Sequence, residues 1–194
     1  ENEWWKKAIA SEINNFLKRG AWKFVKRTEV KEKGRRLIPT KHVFKKKIEL
    51  DPKTGKEYTR FKDRIVTLGF MQIPGVDYTE KFSTVATDSG LRLAIGLTLF
   101  HWNDGWDIHS YDVEAAFLEP TMDSTLMFIM IPQGLLELGF ITQEQHDEYY
   151  IQLENSMYGN VDAALWWLRE FKKFLAEDSG FVASVADSCT LSYH

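Results

Sequence analysis

The chain has 194 residues, enough for one good core, either one large domain or two small subdomains. Hydrophobic residues make up 44% and charged residues 27%, a globular composition, and the net charge of −3 excludes an overall basic field of the kind that attracts nucleic acid. The single cysteine, Cys189, excludes an internal disulfide and a multi-cysteine zinc site, and no apolar run reaches the ~18 residues of a spanning helix.

The charge is unevenly spread. Most Lys and Arg fall between residues 18 and 64, whereas residues 137–154 are acidic, and regional asymmetry of this kind says more about partners than the total does. Cysteine usage points to an intracellular, reducing compartment. The first residues are not a signal peptide and contain no initiator Met, so a fragment or processed product is expected.

In chain order, residues 2–19 predict an amphipathic helix with Trp5, Ile9, Ile13, Phe16 and Leu17 on one face and Lys6, Lys7, Glu12 and Asn15 elsewhere. Gly20 stops it. Trp22–Lys26 alternates like a short strand, and a charged loop runs on to Arg36. His42–Leu50 and Glu57–Leu68 predict a hairpin, with turn chemistry in Asp51-Pro52-Lys53-Thr54-Gly55-Lys56. Period two puts Phe61 and Ile65 on one face, and Tyr58, Arg60, Lys62 and Arg64 on the other. A strand face carrying three cations is either solvated or meets anions.

Leu91–Trp102 predicts a helix with Leu91, Ala94, Ile95, Thr98 and Leu99 on its core stripe, capped by Asp88 or Ser89. Leu126–Ile131 and Ile151–Leu153 read as short strands, and residues 134–149 as polar and mixed. Ser156–Asn160 reads as a turn. Ala163–Ala176 reads as a helix with Ala164, Trp167, Leu168, Phe171 and Leu175 at core spacing, stopped by Gly180. A last strand is expected within Asp187–Tyr193.

The chain is organised around Tyr111-Asp112-Val113-Glu114-Ala115-Ala116-Phe117-Leu118. Gly105–Ser110 reads as the approach to a buried strand, which places the Asp112 carboxylate at a sheet edge. There it can hold a hard cation such as magnesium, with the Val113 carbonyl as a further oxygen ligand. A turn or a helix cap also favours aspartate, so the residue alone leaves both readings open. The five histidines lack ligand spacing, which argues against zinc, and Glu144, Asp147 and Glu148 fit a solvated face.

The order of several blocks is more specific than any one of them. They are Ile38-Pro39 with Val43-Phe44-Lys45; Phe61-Lys62-Asp63-Arg64-Ile65-Val66 with Gly69-Phe70-Met71-Gln72; Pro74-Gly75-Val76-Asp77-Tyr78 with Phe82-Ser83-Thr84-Val85-Ala86; Asp112-Val113 with Ala116-Phe117-Leu118; Pro132-Gln133-Gly134; and Ser156-Met157-Tyr158-Gly159. From Trp5 to Tyr193 the chain resembles the reverse transcriptase domain of Ty1/copia-type retrotransposons, an RNA-directed DNA polymerase. The resemblance implies an α+β right-hand fold with an antiparallel sheet and packed helices, with fingers at about residues 20–90 and a partial palm at about 91–194. It also implies two-metal phosphoryl transfer with Mg2+, on a template-primer of RNA or DNA and an incoming dNTP. Asp112 then matches the first catalytic, metal-holding aspartate. Lys62 and Arg64 match the cations that hold the triphosphate, Phe117 the aromatic beneath the nucleotide sugar, and Val113, Tyr158 and Gly159 complete the implied nucleotide-binding set.

The sequence departs from that pattern in three ways. No adjacent Asp-Asp pair occurs in the 194 residues, and one carboxylate cannot hold two metals ~4 Å apart. Asn160-Val161-Asp162-Ala163 stands where the family has Leu-Lys-Gln-Ala, which predicts an anion near the triphosphate. Asp63 and Leu68 replace a small and a basic residue, and Asp63 is expected to pair with a neighbouring cation. An incomplete palm with an open edge at the Asp112 strand follows as an expectation, filled by the rest of a longer polymerase or by a protein partner. The alternative is a non-catalytic, co-opted structural or RNA-binding subunit of a larger assembly.

Overall fold

A computed structural model describes residues 2–122 and 126–193; Glu1, residues 123–125 and His194 lie outside the described residues. The described residues form a mixed α/β protein with one four-stranded sheet, three two-stranded ones and several helices. Helix α1 (Asn2–Lys18) leads through Gly20, at φ +63°, into strand β1 (Trp22–Lys26). The reversal stacks Phe16 on Trp22 at 4.3 Å between ring centroids. Helix α2 (Arg27–Glu32) replaces the expected charged loop, because Val30 finds a buried site against Phe128.

Strand β2 (Leu37–Ile38) lies at one edge of the main sheet, followed in space by β7 (Phe128–Ile129), β8 (Tyr149–Leu153) and β1. The β2–β7 pairing is parallel and the other two are antiparallel. Side chains alternate across this sheet. Ile38, Ile129, Ile151 and Leu153 face the main core with Ile13 and Phe16 of α1. Leu37, Phe128, Tyr150 and Val25 face the other way, under Val30 of α2. The short helix α4 (Gln143–Glu148) feeds β8 from the polar stretch and starts with a Thr142/Gln145 capping box.

The predicted hairpin forms with a waist. Strands β3 (Thr40–His42) and β6 (Ile65–Thr67) pair at its base, and β4 (Lys45–Leu50) and β5 (Glu57–Lys62) at its tip. Both halves keep one register, and Val43 and Arg64 exchange backbone hydrogen bonds of 2.8 and 3.1 Å between them. The tip leans on α1 through Trp5, which packs edge-on against Phe61 at 4.7 Å and Phe44 at 5.0 Å. Ile65 carries the base into the main core.

Three local expectations are overturned. The face of α1 that is buried includes Ala8 and Glu12 as well as Ile13 and Phe16, because the hairpin covers that side. Residues 106–113 are irregular and exposed, not a strand. A strand needs a hydrogen-bonded neighbour, and none of the described segments pairs with this one. Helix α3 (Asp88–Phe100) forms, but of its expected core stripe only Thr98 is buried, while Leu91, Ala94, Ile95 and Leu99 are exposed. Its cap is Thr87, whose Oγ1 accepts from the Gly90 amide at 3.0 Å, in place of Asp88 or Ser89.

Helix α5 (Ala163–Lys173) runs on through one wide turn to Asp178 and ends before Gly180 at φ +70°. Its fully buried residues are Ala163 and Leu165, while Trp167, Leu168, Phe171 and Leu175 are half-buried and Ala164 is exposed. Strands β9 (Val182–Ala183) and β10 (Leu191–Ser192) close the chain as a small hairpin. Among the described residues no helix is long and apolar enough to cross a membrane.

Candidate phosphate-binding cleft

Where the hairpin tip crosses α1, a cleft of about 510 Å³ opens. One wall is α1, with Ser11, Glu12, Asn15 and Lys18. The other is β5 and its continuation, with Arg60, Lys62 and Asp63. Tyr158 and Glu114-Ala115 close the end. Arg60 is partly spoken for, since its guanidinium reaches Glu49 at 3.4 Å. Lys62 and Arg64 make no ion pair among the described residues. The Arg64 guanidinium lies 5.5 Å from the Tyr158 ring centre, within cation–π range.

Burial, and then the crowding of Arg64 and Arg60, lowers the pKa of Lys62. An ammonium held in this way gains from an incoming anion, which offsets both desolvation and like-charge repulsion. Tyr158 has its phenol pushed up, first by burial and then by Glu12, so it stands as a neutral hydrogen-bonding group. Phe117 packs on Tyr158 in a T-shape at 6.2 Å.

The Tyr158-Gly159 turn is anchored to the hairpin base. The Thr67 amide donates to the Tyr158 carbonyl at 2.8 Å, and the Thr67 hydroxyl donates to Asn160 Oδ1 at 2.6 Å. Gly159 sits at φ +88° with its backbone against Thr67, and a Cβ there would run into the Thr67 carbonyl. Glycine is therefore required twice over, by conformation and by close approach.

Of the residues singled out from sequence, Lys62 and Tyr158 line the cleft, Arg64 and Phe117 pack on the Tyr158 ring, and Gly159 follows Tyr158 in the turn against Thr67. Asp112 and Val113 lie in the irregular, exposed stretch that leads to the cleft. That stretch turns at Ala115, a non-glycine residue at φ +55°, into the short turn Ala116–Leu118 anchored by the fully buried Leu118. Among the described residues no three His, Cys, Asp or Glu side chains come together to hold a metal ion. The described residues therefore do not by themselves fit a two-metal centre.

Two of the departures from the family pattern have a structural answer. Asp162 is buried and does not line the cleft. Its Oδ2 accepts from the Trp166 indole at 2.8 Å, and burial pushes its carboxyl up. Its carboxylate is thus directed to the Trp166 indole and lies outside the cleft lining. Asp63 does not neutralise Lys62 or Arg64 either. Its Oδ2 lies 2.7 Å from His42 Nδ1, and His42 Nε2 lies 3.0 Å from the Gln133 carbonyl oxygen. Sequence reading overlooked Glu12, His42 and this use of Asp63. The spacing Ala8, Glu12, Phe16 was the available signal for Glu12; nothing local marks the His42–Asp63 pair.

Residues 20–189 match the family described as reverse transcriptase (RNA-dependent DNA polymerase). The chain belongs to this family, as a domain of the Ty1/copia type. It is 29% identical over 184 residues to the retrovirus-related Pol polyprotein from transposon RE2 of Arabidopsis thaliana, covering 95% of this chain and 11% of that protein. The corresponding polyprotein from transposon RE1 of Arabidopsis thaliana is 29% identical over 188 residues, 97% of this chain and 12% of the relative. That from transposon TNT 1-94 of Nicotiana tabacum is 28% identical over 183 residues, 94% and 12%. The chain thus spans about one-eighth or less of the length of these relatives. No solved structure shows significant similarity.

Proposed function

We propose that the chain supplies the fingers and part of the palm of an RNA-directed DNA polymerase, and that the cleft between α1 and β5 receives phosphates of the nucleotide or of the template-primer. The observation that carries this is a pair of cations without an ion-pair partner among the described residues: Lys62 lines the cleft, and Arg64 lies over the ring of Tyr158, which closes its end. Lysine offers a mobile point charge and arginine a planar fork that can grip two phosphate oxygens. Phe117, supported by Tyr158, offers an aromatic surface for a sugar, and the exposed Val113 backbone and Asp112 carboxylate lie on the approach. When bound, magnesium would supply charge neutralisation at the transferring phosphoryl group. Among the described residues no further carboxylates join Asp112 to hold a metal, and the sequence has no adjacent Asp-Asp pair; we therefore infer that this chain alone does not polymerise. An intracellular, reducing setting suits the single half-buried thiol.

Binding of an RNA–DNA hybrid and of dTTP by the wild-type chain tests this reading. Lys62→Ala and Arg64→Ala should each weaken binding and lower the salt dependence by about one released counterion. Binding indifferent to both substitutions would overturn the assignment of the cleft. A non-catalytic RNA-binding role is the second reading, favoured by the sequence having no adjacent Asp-Asp pair. Primer extension by a longer polypeptide that contains this chain separates the two: extension that is lost in Asp112→Asn would remove the second reading.

A further inference from the structure

The wall of the cleft contains a carboxyl group that the phosphate-binding assignment does not use. Glu12 is 8% exposed and lines the cleft, yet its Oε1 has no hydrogen-bond partner among the described residues. An ionised carboxylate with one oxygen left unsatisfied in such a place is costly. The hairpin presents the Ile65 backbone, Lys62 and Arg64, which favour its ionised form, and Asp63, which opposes it. Asp63 is itself held by His42. Across the cleft stand Arg60, Glu114 and Tyr158, and α1 itself brings Lys18. Burial leads this balance and Asp63 adds to it, so the Glu12 carboxyl is pushed up to about 7. Near neutrality Glu12 therefore exchanges its proton with solvent while facing the same space as the two cations.

We propose that Glu12 is a proton-linked control on phosphate binding in this cleft: ionised, it repels a phosphate and draws Lys62 toward itself; protonated, it leaves the cations to the ligand. The inference rests on the assignment of the cleft made above. By linkage, a phosphate bound beside Glu12 raises its proton affinity, and Glu12 takes up a proton from solvent as the ligand binds.

The probe is fluorescent hexathymidylate, whose phosphodiesters do not titrate near neutrality. For the wild-type chain the dissociation constant should rise about five- to tenfold between pH 6 and pH 8, the scale of one nearby unit charge. Glu12→Gln should bind at pH 8 as tightly as the wild type does at pH 6, with a much flatter profile. Calorimetry on the wild type at pH 7, in two buffers of different ionisation enthalpy, should show net proton uptake, and this readout does not depend on the variant folding. Parallel pH profiles for the two chains, or no proton uptake, would overturn the role of Glu12 while Lys62-dependent binding keeps the cleft assignment intact. Binding that ignores Lys62 and Arg64 would overturn the cleft assignment and this inference together.

Discussion

His42 and Asp63 face each other across the waist of the hairpin, Nδ1 to Oδ2 at 2.7 Å, with the second ring nitrogen of His42 at 3.0 Å from the Gln133 carbonyl. Both ring nitrogens meet acceptors, so both must donate and the ring is an imidazolium. The hydrogen bond that His42 donates to Asp63 leads the upward shift of the His42 pKa. This pair fixes the base of the cationic strand to the Pro132-Gln133-Gly134 loop. It also takes up the Asp63 charge, which would otherwise offset Lys62 next to it.

Replacing His42 by Ala leaves the Asp63 carboxylate buried without its partner. Removing one member of a buried pair costs on the order of 3–5 kcal/mol, and urea unfolding should show a loss of that size. The sign with pH follows from the raised folded-state pKa of His42. The stabilisation is fully present below its unfolded value of about 6.5 and is lost as pH rises through the higher folded value. The His42→Ala penalty should therefore shrink at high pH. A penalty that grew with pH would contradict the imidazolium assignment.

Gly159→Ala tests the joint between the Tyr158 turn and the hairpin base. The new Cβ meets the Thr67 carbonyl and must also adopt φ +88°. The expected destabilisation is about 3–5 kcal/mol, read as a drop in the urea midpoint. The chain should also lose hexathymidylate affinity, because Tyr158 no longer backs Arg64. A variant as stable as the wild type would show that the turn is not held against Thr67.

The elements with strong local signals were legible in the sequence. Helix α1, strand β1, the hairpin turn, and helices α3 and α5 follow from periodicity, Gly20, Gly55 and Gly180. The hairpin itself was legible because two strand-like runs flank the turn chemistry of Asp51–Lys56. The misses depend on what lies opposite in space. Glu12 reads as polar and outward until the hairpin covers it, and Asp63 reads as a neighbour of Arg64 until the strand waist turns it to His42. The apolar run around Ile108 and the apolar stripe of α3 met the criteria for a strand and a core helix. Those criteria describe what a segment would bury, whereas exposure depends on whether another segment is there to cover it.

The start of α3 depends on a contact from the far end of the chain. Asp187 Oδ2 accepts from the Thr87 amide at 2.9 Å and from its hydroxyl at 2.8 Å, and Oδ1 accepts from the Cys189 amide at 2.9 Å. These bonds, led by the one from the Thr87 amide, hold the Asp187 carboxyl down to about 2. A depressed folded value means the contribution is complete above the unfolded pKa of about 4 and disappears as pH falls toward 2. Thr87→Ala removes the cap and should cost about 1 kcal/mol. Asp187→Asn should speed amide hydrogen exchange at Gly90 and Leu91 at pH 7 and leave it unchanged near pH 2. Equal exchange in the two chains at pH 7 would show that Asp187 does not hold this helix.

Glu12 makes the opposite prediction for stability. In the unfolded chain a glutamate ionises near pH 4.5, whereas in the folded chain Glu12 does so at about 7. Between these values the folded state holds the extra proton, so stability falls as pH rises across that window and is level above it. The full shift corresponds to on the order of 3 kcal/mol. Glu12→Gln removes the titrating group and keeps its shape. The variant should match the wild type at pH 4, exceed it by up to that amount at pH 8, and so have a flatter stability profile between pH 5 and 7. The His42 pair also weakens as pH rises, but it is present in both chains and cancels in their difference. A Glu12→Gln variant that was less stable than the wild type at pH 8 would mean that the ionised carboxylate is satisfied by Lys62 and Arg64 after all. The cleft would then hold a closed ion cluster, with its cations already matched before any phosphate arrives.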